Sequence, residues 1–258
     1  MQPCIHLHIL ASGSKGNAAV VEGPEGMVLI DCGITRRQLM LRADALGLDM
    51  TKVRAAFFTH EHSDHVSGLP VFAKRFDGPL YATKGTVGGR SNLASLPFDY
   101  IGDDDELSVA GMRVRTFPTS HDVADPFGLH FLAEEDGCVL DSVGWCTDTG
   151  YLTDRALEEL QGCRVLGLES NHDAHMLATG PYPGYLKARV GGQRGHLSND
   201  QCAQALQELV CEQTTTVVAL HISENNNLPS LAKATLAEAV PESVEVLVAA
   251  QSQPMTVW

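Results

Sequence analysis

The residues best suited to chemistry lie in one short run. Residues 59–68 read THEHSDHVSG and place His60, His62, Asp64 and His65 directly after the mainly apolar segment VRAAFF. Alternate side chains of an extended segment point the same way, so His60 and His62 can face one centre. A turn then carries Asp64 and His65 around a second. Neutral imidazole and carboxylate donors in this combination suit zinc, and also manganese or iron. Three more residues of the same kind stand where strands should end: His121 after MRVRTFPTS, Asp148 in GWCTDTG and His221 at the close of VVAL. Singly, each histidine reads as a surface or satisfied core residue and the aspartate as a turn former. Together with the first cluster they complete two sites, of the types His/His/His/Asp and Asp/His/His/Asp. A carboxylate at 148 can bridge two cations, whereas Cys or Ser there would favour one. Two cations ~3.5–4 Å apart can share a hydroxide and clamp a phosphodiester from both sides.

Positioning these groups requires strands that end together. Residues 4–10, 18–22 and 27–31 read as short strands joined by the turns SGSKG and GPEG. A helix over 35–46 starts at the cap Thr35. VRAAFF at 53–58 is a buried strand, followed by a helix around 66–76, a strand near 80–82 and a further short helix. LSV, MRVRTF, GLHFLAE and CVLD return the chain to strands between 106 and 141. A helix over 153–160, a strand over 164–169, a helix over 198–210 capped by Ser198 or Asn199, and a buried strand over 217–222 follow. The helix LPSLAKATLAEA and a final strand VEVLVA close the pattern. Two blocks of strands, each giving way to strand–helix alternation, are satisfied by two sheets face to face with helices outside both. The stretch 177–197, rich in Gly, Pro and Tyr, reads as a functional loop.

Length and composition narrow the classes. The 258 residues, 44% hydrophobic and 19% charged, suit one globular domain over 1–258 rather than a disordered chain. No apolar run is long enough to span a membrane, and the N-terminus lacks the pattern of a signal peptide. Seven cysteines without a C-x-x-C pair fit reduced thiols in the cytoplasm. A net charge of −14 disfavours a duplex-coating protein and leaves room for a small cationic site in an acidic body.

The order Asp31 in LIDCG, the H-x-H-x-D-H cluster, His121, Asp148 and His221 resembles the ligand motifs of the metallo-β-lactamase superfamily. The resemblance implies an α+β chain built as a single-domain four-layer αββα sandwich with metals at the sheet edges. It implies that His60, His62 and His121 bind one of two divalent ions, that Asp64, His65 and His221 bind the other, and that Asp148 bridges. It further implies that Asp31 orients a ligand without binding metal; hydrogen-bonded support of a metal-binding imidazole is the physical use of such a group.

Narrower features select within that superfamily. In the loop ASGSKGNAAV, Ser12, Ser14, Lys15 and Asn17 could hold a phosphate with hydroxyls, an ammonium and backbone N–H groups. No G-K-[ST] ends it, so ATP chemistry is not expected. This loop, LESNHD at 168–173, GHLSN and HISENN resemble the YycJ/WalJ-type group of bacterial proteins, which implies a cytoplasmic nuclease acting 5′→3′ on DNA. There is no room for the inserted domain of RNase J-type enzymes or the helical domain of glyoxalase II-type thiolesterases, and no tRNA-clamping arm of the RNase Z type.

His196, near Lys187, Arg189 and Arg194, is the candidate catalytic histidine outside the ligand set. It would contact the scissile phosphate or protonate the leaving oxygen. Asp64 would also accept or orient the proton of the attacking water. His172 and Asp173 are read as supporting the site or capping a helix, and Lys187, Arg194 and Asn225 as substrate contacts. Tyr182 and Tyr185 could stack bases. His6, His8, His130 and His175 are assigned structural roles. The expected function is a binuclear phosphodiesterase, a 5′→3′ DNA exonuclease using a metal-bridging hydroxide, with DNA ends or single strands as partner. The alternatives are a small-molecule or cyclic-nucleotide phosphodiesterase of the same fold, and a non-catalytic metal-binding or sensor protein.

Overall fold

The computed structural model describes residues 3–258; Met1 and Gln2, part of the expected 1–258 range and of the N-terminal reading, lie outside the described residues. The strands are β1 (His6–Ala11), β2 (Ala18–Gly23), β3 (Gly26–Ile30), β4 (Val53–Phe57), β5 (Leu80–Ala82), β6 (Phe98–Tyr100), β7 (Glu106–Val109), β8 (Met112–Pro118), β9 (Phe127–Glu135), β10 (Cys138–Cys146), β11 (Val165–Glu169), β12 (Thr216–Leu220), β13 (Glu245–Val248) and β14 (Met255–Val257). They form two seven-stranded sheets, ordered β14-β1-β2-β3-β4-β5-β6 and β13-β12-β11-β10-β9-β8-β7. The helices are α1 (Arg36–Ala45), α2 (Ser63–Val66), α3 (Leu69–Phe72), α4 (Lys84–Gly88), α5 (Asp154–Leu160), α6 (Ala174–Thr179), α7 (Gly184–Val190), α8 (Asn199–Leu209) and α9 (Pro229–Ala239).

The layering follows from strands that are apolar on both faces. In β2 and β3, Ala19, Val21, Val28 and Ile30 join the core between the sheets, while Ala18, Val20, Met27 and Leu29 join a second core under α1 and α3. In β12, Val218 and Leu220 face the central core while Val217 and Ala219 meet α5, α8 and α9 through Leu160, Leu206 and Leu236. Side chains that alternate across a strand therefore feed two different cores, which makes continuous apolar runs. The result is the four-layer αββα arrangement, an α+β fold. Among the described residues, no helix is long and apolar enough to cross a membrane.

Some elements differ from the sequence reading. The helix expected at 66–76 is broken into α2, α3 and a 3₁₀ turn at Ala73–Arg75. Gly68 explains the break: a Cβ there would sit 1.9 Å from the Ile34 carbonyl oxygen, so the chain must pass close to the 32–34 turn instead of continuing a helix. The stretch 177–197 is only partly irregular, holding the end of α6 and all of α7 with a Gly-Pro turn between them. VEVLVA is not the last strand, because β14 follows and pairs antiparallel with β1. The short edge strand β6 was also not anticipated. The capping residue of α8 is Ser198, within a full capping box with Gln201.

The fold delivers chemistry at one edge. β3 and β4 run parallel, as do β10, β11 and β12. β8 and β10 both run antiparallel to β9 and so point the same way. Asp31, residues 59–65, His121, Asp148, Glu169 and His221 thus all stand at or just past strand C-termini.

Candidate metal centre

Three of these strand-end residues adopt left-handed backbone conformations: Asp31 at φ 58°, Asp148 at φ 56° and His221 at φ 53°. This region disfavours residues with a Cβ, and local strain of order 1 kcal/mol each is held by the surroundings. Each turn redirects the chain just after a strand and aims a polar side chain across the edge. Gly33 permits the closest approach, since a Cβ there would lie 1.5 Å from the Asp64 carbonyl oxygen. The turn after β3 is thereby pressed onto the Asp64–His65 turn.

The first group comprises His60, His62 and His121, whose nitrogen donors lie within 4.8 Å of one another. His121 Nδ1 is 2.9 Å from the Gly195 carbonyl oxygen and donates to it, which leaves Nε2 as a lone-pair donor 3.2 Å from His62 Nδ1. His60 Nδ1 is 3.1 Å from Thr59 Oγ1, and its Nε2 is buried without a hydrogen-bond partner among the described residues. An orphaned buried nitrogen beside two others is what a divalent cation would satisfy. Burial pushes the imidazoles of His60, His62 and His121 below their ordinary range, so they are neutral.

The second group surrounds the buried carboxylate of Asp148. His65 Nε2 is 3.1 Å and His221 Nδ1 is 3.0 Å from Asp148 Oδ2. Asp64 Oδ2 stands 3.6 Å from His65 Nε2 and 3.8 Å from His221 Nε2. Burial alone would lower His65, but the carboxylates of Asp148, Asp31 and Asp64 outweigh it and raise it well above the usual value. His221 is likewise raised to about 10, Asp148 overcoming burial. Asp31 supports this group from behind: its Oδ2 is 2.8 Å from His65 Nδ1 and accepts from Thr59 Oγ1, and its Oδ1 accepts from the Thr59 N–H.

A carboxylate not picked out from the sequence completes the cluster. Glu169, fully buried at the end of β11, has Oε1 2.7 Å from His196 Nδ1 and 3.4 Å from His221 Nδ1. Its Oε2 accepts from the N–H groups of Thr149 at 2.9 Å and Leu197 at 3.2 Å. Burial would raise Glu169, but His196 holds it down at about 2. Conversely, burial would lower His196, and Glu169 with Asp148 raises it. Asp122 was also missed. Its Oδ1 is buried without a hydrogen-bond partner among the described residues, 3.4 Å from His121 Nε2 and 3.6 Å from His62 Nε2. The available signal was an acidic residue where only apolar ones were expected, at the end of VLGLE, and one directly adjoining a ligand-type histidine, in SHD.

The donors open into a cleft of about 230 Å³ lined by Ser14, Asp64, Tyr182, Arg189 and His196, among others. The remaining expected residues are distributed as follows. Ser12 accepts from the His221 N–H, and Asn17 Nδ2 lies 3.0 Å from His65 Nε2, so both brace the cluster from within. Lys15 is paired at the surface with Glu224, and Asn225 donates to the Tyr182 hydroxyl at the cleft lip. His172 is buried with its backbone bridged to Ser198, and Asp173 caps α6. Lys187 and Arg194 are not among the groups turned to the cleft. Lys187 Nζ donates to the Ala178 carbonyl, and Arg194 donates to the carbonyls of His121 and Val123. Tyr185, on α7 next to the cleft-lining Leu186, is 77% exposed and is not itself among the cleft-lining residues. His8 contacts Thr256 and Glu22, and His130 contacts Glu159, both as fold-holding pairs.

The chain matches the family model described as the beta-lactamase superfamily domain over residues 27–222. It is 32% identical to "Exodeoxyribonuclease YycJ" of Bacillus anthracis, covering 92% of this chain and 90% of that protein. It is 30% identical to "Exodeoxyribonuclease WalJ" of Streptococcus pneumoniae, covering 88% and 85% respectively. Among solved structures it resembles the metallo-beta-lactamase fold protein YhfI of Bacillus subtilis with a TM-score of 0.71, covering 98% of this chain and all of that one at 14% identity, a likeness of fold.

Proposed function

The chain belongs to the metallo-β-lactamase superfamily, and from that membership we propose that it is a divalent-metal-dependent phosphodiesterase that removes nucleotides from DNA ends, working 5′→3′. The observation that carries the reading is the convergence of two groups of imidazoles on the buried carboxylate of Asp148, in a chain alike along most of its length to two exodeoxyribonucleases. His60, His62 and His121 would hold one ion and Asp64, His65 and His221 a second, with Asp148 between them. The nitrogen and oxygen donors suit zinc, manganese or iron. When bound, such ions lower the pKa of water and offset the charge on phosphoryl oxygens.

The chain's own groups do the rest. Asp31 fixes the ring of His65, and the Gly195 carbonyl fixes that of His121. Asp64 lines the cleft with Oδ2 turned to His65 and His221, leaving Oδ1 to orient the proton of the attacking water. His196, whose Nδ1 faces the Glu169 carboxylate that pushes its pKa up, donates from Nε2 to the leaving oxygen. Ser14 on the SGSKGN turn lines the cleft and supports a pocket there for the terminal phosphate. We read residues 1–258 as one hydrolase unit, since both sheets share the central core. The seven unpaired cysteines support a cytoplasmic location.

The test is digestion of 5′- and 3′-end-labelled DNA and RNA with Mn²⁺ or Zn²⁺, with Asp148→Ala as control. Mononucleotide release from the 5′ end of DNA by the unaltered protein alone is expected. Release first from the 3′ end would reverse the polarity. Turnover confined to bis-p-nitrophenyl phosphate or cyclic nucleotides would favour a small-substrate enzyme, and metal binding without turnover would favour a sensor.

A further inference from the structure

An acidic cleft must still hold a polyanion. Asp64, Asp122 and Asp148 all line it, and among the described residues that do so Arg189 is the one Lys or Arg. The phase of α7 explains this choice. In GYLKARV, Leu186, Arg189 and Val190 share the helical face at i, i+3 and i+4, and all three line the cleft. Lys187 is one position out of phase with that face and is tied to Ala178.

The engagement of the guanidinium matters as much as its position. Arg189 Nε donates to Asp122 Oδ2. Its Nη1 and Nη2 groups make no hydrogen bond among the described residues, and the side chain is 56% exposed. Arg194, by contrast, has Nε and Nη2 committed to the carbonyls of His121 and Val123. A guanidinium gripped at Nε presents its two remaining nitrogens as a planar fork, which matches a pair of phosphate oxygens. Asp122 is itself fixed by place, following His121 in sequence and turning its other oxygen toward His121 and His62.

Resting on the phosphodiesterase reading above, we propose that Arg189 is the side chain that grips the non-bridging oxygens of a substrate phosphodiester at the metal centre, and that Asp122 is the positioning residue that aims it. The grip holds one phosphate of a DNA strand beside the first histidine group. It replaces Lys187 and Arg194 as the cationic substrate contact. Charge alone and aim are separable here: deleting Asp122 removes a negative charge from the cleft but also releases the fork.

The experiment measures equilibrium binding of a fluorescein-labelled, phosphorothioate-linked single-stranded oligodeoxynucleotide to the zinc-loaded full chain, by anisotropy over a salt series. Metal content is checked for every variant. Arg189→Gln is expected to weaken binding roughly 10-fold and to flatten the slope of log K against log salt by about 0.7, the loss of one phosphate contact. Arg189→Lys should restore the slope but only part of the affinity, because an ammonium offers no fork. Arg113→Gln removes an equal charge from β8, where the partly exposed Arg113 pairs with Glu106 and Glu134, and should leave the slope intact. Asp122→Ala should weaken binding; tighter binding would show simple repulsion and overturn the aiming role. An unchanged slope in Arg189→Gln, or no binding by the unaltered protein, would overturn the grip. Phosphodiester hydrolysis by the unaltered protein, measured separately, decides the enzymatic reading: an Arg189-dependent slope without turnover would sink that reading and keep the grip.

Discussion

Glu169→Gln is the most informative single change, because the structure dictates which way the new amide must sit. Glu169 Oε2 accepts two backbone N–H groups, from Thr149 and Leu197, while Oε1 faces His196 Nδ1. Turning the amide NH₂ toward Thr149 and Leu197 would leave two buried donors unpaired, at about 1–3 kcal/mol each. The glutamine therefore keeps its oxygen there and points NH₂ at His196. Nδ1 must then accept instead of donate, so the imidazolium loses its counter-charge and its hydrogen-bond acceptor together. With only Asp148 left to oppose burial, the His196 pKa falls as the upward push from Glu169 is lost. If His196 is the acid, turnover should drop on the order of 10²–10⁴-fold, or about 3–5 kcal/mol of barrier. A general acid works only when protonated, so activity in the unaltered protein should persist to higher pH and decline as pH rises through the raised pKa. In the variant, that decline should move to lower pH. The assay is single-turnover cleavage of end-labelled DNA across pH, with metal content measured in parallel. Turnover equal to that of the unaltered protein with an unshifted alkaline limb would refute the acid role. Loss of metal would instead make Glu169 a ligand.

Further outcomes follow from the same geometry. Asp148→Ala should abolish hydrolysis and lower the bound metal by about one equivalent by elemental analysis, since this carboxylate faces both groups of imidazoles. Asp31→Ala leaves the ring of His65 without its 2.8 Å partner and should weaken metal binding roughly 10–100-fold in a chelator competition. Glu159 is held below its usual range chiefly by the hydrogen bond to His130. Its contribution to stability should be present above the unfolded carboxyl pKa of about 4.3 and disappear as pH falls through the lowered folded value. Glu159→Gln should thus lower Tm at pH 7 and cost little near pH 3 by thermal scanning.

The parts of the molecule legible in the sequence are those in which one physical demand dominates. β2, β3, β4 and β12 bury nearly every residue on both faces, so they appear as mainly apolar runs in which Glu22 and Arg54 are the charged exceptions. The donors that follow them stand out because polar residues interrupt those runs. β14 and β6 escaped notice because three-residue edge strands carry too little periodicity to register, and β14 depends on a partner at the far end of the chain. Glu169 was hidden because an acidic residue closing a strand looks like the start of a loop, whereas here it is fully buried. Lys187 and Arg194 drew attention as cations near His196, but cation density in a sequence does not give helical phase or reveal which carbonyls lie within reach. That information exists only once α7 is laid against the cleft.

The left-handed backbone at Asp31, Asp148 and His221 has an evolutionary consequence. These are conformations that glycine adopts freely. A single base change converts an aspartate codon to a glycine codon, and at Asp31 or Asp148 the replacement would relax the main chain while erasing the chemistry. Descendants that lose activity along this route keep the apolar cores untouched, free to be recruited for tasks that need shape alone. Functional decay is therefore expected to leave its earliest mark as glycine at these strand ends, well before the cores between and outside the sheets begin to drift.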